Sequence, residues 1–394
     1  MSAMLEFAQK LVRIPGESGQ EAEVARLVKE TLEALAFDEV WVDEAGNVLG
    51  LVKGKKRPSR RTVLFDAHLD TVGVADATSW KYPPYGGEVV DGRLFGRGAV
   101  DMRGALSAMV FGLASIDRSE LQGKVYFSAS VAEEILEGAA FSQVLDATEP
   151  DYVVIGEPTD LGVARAQRGR AELCLEVQGK AAHSAWPTEG RCAVEGFSRV
   201  YLALRKLVPP EHDGLGQGIT VLTDVVSIPY PGRSVVPFGC QATLDRRLLP
   251  GESIDDIVEL LAREASQATN LPVTVEVVHG EAVTYTGHKL VQTKVFPAWE
   301  LEATHPLVES AVNVLRSISL TGALTTYAFC TNGSASQGER GIPTIGFGPG
   351  QESEAHQADE SVRVSDLISA QRGYRALALG LDDRPTRQLS LLDD

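Results

Sequence analysis

The sequence predicts an α/β protein: a mostly parallel sheet covered by helices on both faces, interrupted by a smaller inserted unit of βαββαβ order. Three observations lead there. Short continuous apolar runs alternate with stretches of helical spacing in both the early and the late parts of the chain. Between roughly residues 169 and 285 that order gives way to a different one. The chain also has 394 residues, more than one ordinary domain holds, so two domains are expected.

The first clear element is "EAEVARLVKETLEAL" at 21–35, with apolar side chains at 24, 27, 28, 32 and 35, which is helical spacing. Ser18 and Glu21 have the spacing of a capping box at its start. Strand-like runs follow at 62–65 ("TVLF"), 125–131 ("VYFSASV"), 152–155 ("YVVI") and 342–347 ("IPTIGF"). Helical patterns fill 102–116, 138–147, 305–318 and 365–379. Continuous apolar strands separated by helices belong to a sheet buried on both faces, which is largely a parallel one.

In the middle, strand 171–177, helix 191–207, strands 218–228 and 238–248, helix 253–268 and strand 272–278 give βαββαβ. This is the ferredoxin-like order and makes a complete small domain. Gly169 and "TYTGHK" (284–289) suit hinges. The expected division is a discontinuous larger domain, 1–168 and 286–394, with an inserted lid domain at 169–285.

Composition narrows the function. Apolar residues make up 44% and charged residues 23%, an ordinary globular balance. A net charge of −17 argues against a nucleic-acid partner, which needs clustered Lys and Arg, and against anionic membrane surfaces. Cys174, Cys192, Cys240 and Cys330 have no C-x-x-C spacing, so free thiols in a reducing cytoplasm are expected. The first residues, "MSAMLEFAQKLVRIPG", show no apolar signal core, and no apolar run approaches a membrane span. The end, "QLSLLDD", has a faint likeness to a sliding-clamp-binding peptide, but a loose terminus accounts for it.

Chemistry gathers just after the strands. "TVLFDAHLD" ends in His68 and Asp70, "RLFGRGAVDMRG" carries Asp101 just before a helix, and "VYFSASVAEE" ends in Glu133 and Glu134. "YVVIGEPTD" carries Glu157, and "IPTIGFGPGQESEAH" runs through glycines to His356. Ligands of open α/β sheets bind beyond the carboxyl ends of the strands, so five segments deliver acids and histidines to one edge. So many carboxylates repel unless cations neutralise them. Histidine and carboxylate donors without cysteine suit zinc, and also cobalt or manganese, and they suffice for two ions. Asp70, two residues beyond His68 on an extended segment, faces the same way and could fix its tautomer. Taken singly, each of these residues reads as a satisfied polar group, a solvated loop acid or a cap. Their joint placement is what argues for a site.

At this point the chain resembles a known family. "DAHLDTV", "GRGAVDMRG", "AEE", "GEPT" and the late "AH" stand in the order of the di-zinc amidohydrolases and peptidases that include succinyl-diaminopimelate desuccinylase, acetylornithine deacetylase, aminoacylase and glutamate carboxypeptidase. The likeness covers nearly the whole chain. "FPAW", "CTNGSASQGERGIPTIGFGPG" and "EAHQADE" look closest to its selenium-metabolism-linked hydrolases. The resemblance implies a zinc-peptidase-like catalytic domain in which His68 and Glu157 bind one metal, Glu134 and His356 bind the other, and Asp101 bridges them, followed by a peptide that is often cis. It makes Glu133 the general base and Asp70 the residue that orients His68. Glu157 matches the deacylase and carboxypeptidase branches.

The implied activity is hydrolysis of an amide or peptide bond in a small carboxylate-bearing substrate, such as an N-acyl amino acid or dipeptide. A hydroxide shared by the two ions would attack, with Glu133 moving protons. The resemblance also makes His183, in "GKAAHSAWPTEGRCAVE", an oxyanion stabiliser that often reaches into a partner's site, and it implies a homodimer through the lid. It puts Arg247 of "ATLDRRLLPGES" forward as a binder of substrate carboxylate, against the alternative of a salt bridge to Asp245. Asn332 of "TNGSAS" stands as a substrate contact where many relatives carry Asp, and "SVVP" (234–237) lacks the family's usual Asn at its first position.

Three other readings explain less. A mononuclear iron oxygenase would use the "HLD" pattern but leave Asp101, Glu133, Glu134 and Glu157 idle, and it expects an all-β barrel. A nucleotide site at "GFGPG" lacks the rest of any phosphate-binding motif. A non-catalytic metal-binding homologue on the same fold would have lost a ligand or the base, and none is missing.

Overall fold

The protein is described from a computed structural model, which covers residues 2–55 and 61–381. The sliding-clamp-like stretch at 388–394 lies outside the described residues.

A nine-stranded sheet forms the larger unit, with spatial order Glu39–Val42, Val48–Lys53, Lys124–Ser130, Thr62–His68, Tyr152–Ile155, Thr344–Gly346, Val163–Gln167 and Trp299–Glu300; Leu324–Tyr327 also pairs with Val163–Gln167. The four central strands, Lys124–Ser130 through Thr344–Gly346, are mutually parallel, and antiparallel strands flank them. Alternation along Thr62–His68 shows why helices lie on both faces. Val63, Phe65 and Ala67 enter one apolar core with the helices Ala22–Ala34, Arg103–Ala114, Pro306–Ser317 and Val364–Leu381. Leu64 enters a second core, with helix Phe141–Thr148 and the turn Ser334–Glu339. Successive side chains of a strand point to opposite faces, so a strand buried on both sides is apolar along most of its length, with polar Asp66 and His68 held back to its carboxyl end.

Register fixes where the chemistry sits. His68 pairs with Ser130, and Asp66 pairs with Ile155, which in turn pairs with Gly346. The residues just beyond these positions, among them Glu133, Glu134 and Glu157, therefore leave the sheet at one edge.

The inserted unit is a four-stranded antiparallel sheet in the order Ile219–Ile228, Gly239–Leu248, Gly169–Gln178, Val273–Val277, extended by a short pairing of Val295–Phe296. Helices Ala193–Leu204 and Ile254–Ala268 cover it and share its core. The strand and helix order is the expected βαββαβ. Ile219–Ile228 is an edge strand with Ile219, Val221, Val225 and Val226 exposed. Among the described residues no helix is long and apolar enough to cross a membrane.

Two local expectations are corrected. Glu21 sits at the start of helix Ala22–Ala34 without capping it, and Ser18 donates instead to Asp70 at 2.6 Å, so no capping box forms. The stretch 284–289 is the tip of a hairpin, His279–Val283 with Lys289–Thr293. That tip is anchored on the larger unit, where the Tyr285 hydroxyl donates to the Gly46 carbonyl at 2.9 Å and the Thr286 hydroxyl to the Glu44 carbonyl at 2.7 Å.

Helices Arg103–Ala114 and Val364–Leu381 pack closely enough that a Cβ added at Gly112 would lie 2.6 Å from the Gln371 carbonyl oxygen. Two effects compete at this glycine. Helix propensity alone would reward Gly112→Ala by about 1 kcal/mol. Forcing two backbones apart costs about 1–3 kcal/mol, and the neighbouring atom here is main chain, so the cost should win. Urea unfolding of Gly112→Ala should show a lower midpoint at unchanged slope, whereas a raised midpoint would mean that the helices yield freely.

Candidate active site

The sheet edge gathers His68, Asp101, Glu134, Glu157 and His356 around one point. His68 Nε2 lies 2.9 Å from Asp101 Oδ1 and 3.4 Å from Glu157 Oε1. His356 Nε2 lies 2.9 Å from Asp101 Oδ2 and 3.2 Å from Glu134 Oε2. Asp101 thus stands between the two rings, and the Asp101–Met102 peptide is cis, as the family resemblance implies. Two donor groups fit an ion: His68, Asp101 and Glu134, and His68, Glu133 and Glu157, each with ligand atoms within 4.8 Å of one another. Buried Oε1 of Glu133 and Oε2 of Glu157 have no hydrogen-bond partner. Buried carboxylate oxygens that no protein donor satisfies, gathered beside two histidines, are the donor set that a cation would fill.

The electrostatics agree. Burial raises the Glu157 carboxyl to about 7, helped by the charge of Asp101. Burial likewise raises Glu133 well above the carboxylate range, aided by Glu157 and Glu134, and it raises Glu134, aided by Asp101. Burial pushes Asp101 up as well, but the rings of His356 and His68 outweigh it and hold Asp101 below its ordinary value. Hydrogen bonding to Asp101 and Glu134 lifts His356 to about 10. Burial opposes protonation of His68, but Asp101, Asp70 and Glu157 reverse the effect and raise it. Without cations, these carboxylates are tolerable only by keeping protons on themselves and on both rings.

Asp70 works differently from expectation. His68 Nδ1 lies 2.9 Å from the Asp70 main-chain carbonyl and 3.6 Å from its carboxylate, so the carbonyl is its hydrogen-bond partner. The carboxylate instead accepts the backbone N–H groups of Glu133 and Glu134, at 3.2 and 3.1 Å, and the Ser18 hydroxyl. Behind Asp101, buried Glu360 accepts the amides of Val100 and Asp101 and pairs with Arg97 at 2.7 Å.

A cavity of about 670 Å³ opens on Asp101, Glu133, Glu134, Glu157 and His356. Strands of the inserted unit form its other wall, carrying Arg170, Asp245 and Arg247. Arg247 lines the cavity and pairs with Asp245 at 2.7 Å, the salt bridge that the sequence reading named as its alternative role. Arg170, unremarked in the sequence, bonds Asp245 and Glu137 at 2.9 and 3.0 Å, bridging the two walls. No motif marks it, because these two partners lie on segments remote from it in sequence.

Two expected site residues stand elsewhere. Asn332 is buried away from the cavity: its Nδ2 donates to Asp66 and Ser130, both at 2.9 Å, and its Oδ1 accepts from Gly138 at 2.8 Å. A side chain with every polar atom engaged in this way has none left for substrate. His183 is exposed on the inserted unit, 5.6 Å centroid to centroid from the Trp186 ring, and does not line this chain's cavity.

Glu157, Glu21 and Glu360 all have carboxyls raised from 4.5 to about 7. A raised acid contributes stability that is complete below its unfolded value and is lost as pH climbs through the folded one. Metal-free protein should therefore lose stability between about pH 4.5 and 7. Metals compete with protons at the same donors, so the rise in Tm on adding zinc should be larger at about pH 8 than at about pH 5.5. An equal rise at both would contradict this.

Residues 64–380 match the model of peptidase family M20/M25/M40. The chain is 32% identical to the Escherichia coli K12 protein YgeY over 384 residues, 95% of this chain and 94% of that one. Its fold resembles an M20 family metallo-carboxypeptidase, Sso-CP2 of Sulfolobus solfataricus, with a TM-score of 0.74, 16% identity and coverage of 96% and 99% of the two chains. It also resembles the YXEP protein of Bacillus subtilis, described as a dinuclear metal binding peptidase from the M20 family, with a TM-score of 0.69, 16% identity and coverage of 96% and 97%. The family match spans most of the chain and includes every candidate ligand from His68 to His356. The chain belongs to the M20/M25/M40 family of peptidases, hydrolases of amide and peptide bonds.

Proposed function

We propose that the protein is a metal-dependent hydrolase that cleaves the amide bond of a small carboxylate-bearing substrate, an N-acyl amino acid or a dipeptide. One observation carries this reading: the two Asp101 oxygens each lie 2.9 Å from a different histidine ring. A carboxylate that offers opposite oxygens to two ligand sets is suited to bridge two cations. His68 and Glu157 would hold one ion, and Glu134 and His356 the other. Zinc is the proposed metal, and cobalt and manganese are compatible with the same donors. When bound, such ions acidify water to near neutrality and polarise a carbonyl.

The chain's own residues do the rest. Glu133 has a buried, unpartnered oxygen on the cavity wall, which suits it to take a proton from water and return it to the leaving nitrogen. Asp70 fixes Glu133 and Glu134 through their amides and His68 through its carbonyl. Arg247, opposite the acids, is the proposed partner for the substrate carboxylate. The inserted sheet and its two helices would close over the cavity to exclude water, while the hairpin His279–Val283 with Lys289–Thr293 stays anchored on the larger unit. His183 is proposed to act in trans, and the exposed edge strand Ile219–Ile228 offers the lid a surface for a homodimer. The four cysteines are free, consistent with a cytoplasmic protein.

The direct test is a hydrolysis screen. Metal-free protein is reconstituted with zinc, cobalt or manganese and offered N-acyl amino acids and dipeptides. Turnover with at least one metal is expected, and no cleavage under any of them would sink the reading. Given a substrate, Glu133→Gln should keep its metals and lose kcat by on the order of 10²–10⁴ or more. Glu134→Gln should instead lower metal affinity, and the base assignment fails if Glu133→Gln retains kcat. Mixing His183→Ala with Glu133→Ala should restore partial activity in heterodimers, and no recovery after confirmed subunit exchange would count against the trans role.

A further inference from the structure

The turn that carries Glu133 has an unusual support. Four consecutive backbone N–H groups, at residues 131 to 134, are all accepted by side chains from distant segments. Val131 donates to Asn47 Oδ1 at 3.0 Å, Ala132 to Glu21 Oε1 at 3.2 Å, and Glu133 and Glu134 to the two Asp70 oxygens. Ala132 itself lies in the left-handed region, at φ 57°. A residue with a Cβ holds that conformation only when its surroundings impose it.

Glu21 is the unexplained member of this set. It is fully buried, at 0% exposure, and its Oε2 has no partner. At the first turn of a helix the ordinary use of an acid is to cap that helix, but Glu21 makes no such bond. Its carboxylate turns to an amide 111 residues away in sequence. Burying a carboxylate with one oxygen unmatched is a poor way to stabilise a fold. It is a reasonable way to present a fixed acceptor at one point.

We infer that Glu21 is a positioning residue for Glu133: by accepting the Ala132 amide it sets the left-handed turn from which the Glu133 side chain departs toward the cavity. Asp70 anchors the two amides that follow, so Glu21 governs the approach to the turn. The inference rests on the proposed role of Glu133 as base.

The test uses the full-length, metal-loaded enzyme and three variants. Glu21→Gln keeps an acceptor oxygen in place and drops the charge. Glu21→Asp keeps the charge and withdraws the oxygen by one methylene. Glu21→Leu removes the acceptor. Asp and Leu should lower kcat on the order of tenfold to a hundredfold with KM nearly unchanged, as misplacement of a reacting group does. Gln should retain at least about a third of wild-type kcat, because the hydrogen bond survives. In parallel, hydrogen exchange should show the Ala132 amide protected in wild type and Gln, and fast in Asp. Equal loss of kcat in Gln and Asp, or an Asp variant with wild-type kcat, overturns the inference. Gln keeps the size and shape of Glu, so the comparison stands even if Leu fails to fold. If wild type cleaves no amide, the functional reading falls instead. The exchange comparison then decides the Glu21 contact alone, and equal protection in Gln and Asp overturns it.

Discussion

The governing constraint is repulsion among buried carboxylates. Asp101, Glu133, Glu134 and Glu157 share one pocket, where the screening that water would provide is largely absent. Burial and mutual repulsion raise Glu133 and Glu157 above the ordinary carboxylate range, and the acids around them raise His68 and His356, so without cations the pocket favours bound protons. A fold selected for stability alone would have no reason to assemble such a group. The surrounding structure is best understood as what holds these charges in place until cations neutralise them.

Holding them takes a rigid frame at two levels. The central parallel strands end in register, so His68, the Glu133–Glu134 turn and Glu157 meet without long loops. Beyond the strand ends, side chains take over the role of a ladder. Asn47, Glu21 and Asp70 pin successive amides of the acidic turn, Asn332 pins Gly138 farther along it, and Glu360 pins the amides at Val100 and Asp101. The inserted unit adds Arg170 and Arg247 to the far wall, where Arg170 reaches Glu137 on the acidic turn itself. Cationic and anionic walls therefore face each other across one cavity.

The fold and the candidate ligands were legible because they follow local rules. Apolar runs ending in His or acid mark strand ends, and parallel strands bring those ends together whatever the loops between them do. His68, Glu134 and Glu157 could be read in this way as candidates, and so could the βαββαβ order of the insertion; Asp101 and His356 lie on loops, and the family motifs singled them out. What escaped depends on contacts remote in sequence. The spacing of Ser18 and Glu21 suggests a capping box, but Asp70 and the Ala132 amide compete for those side chains and win. Asn332 sits in a family motif yet faces Asp66 and Ser130 across the sheet. The partner of His68 Nδ1 is a main-chain carbonyl rather than the carboxylate of the same residue, a distinction that no spacing of residue types conveys.

The central claim is that these acids are arranged for two cations bridged by Asp101. Metal analysis of the wild-type protein tests this most directly, after supplementation with zinc near neutral pH and removal of excess metal. The account predicts two ions per chain. No more than a trace of bound metal, or a single ion that does not increase on further supplementation, would contradict it.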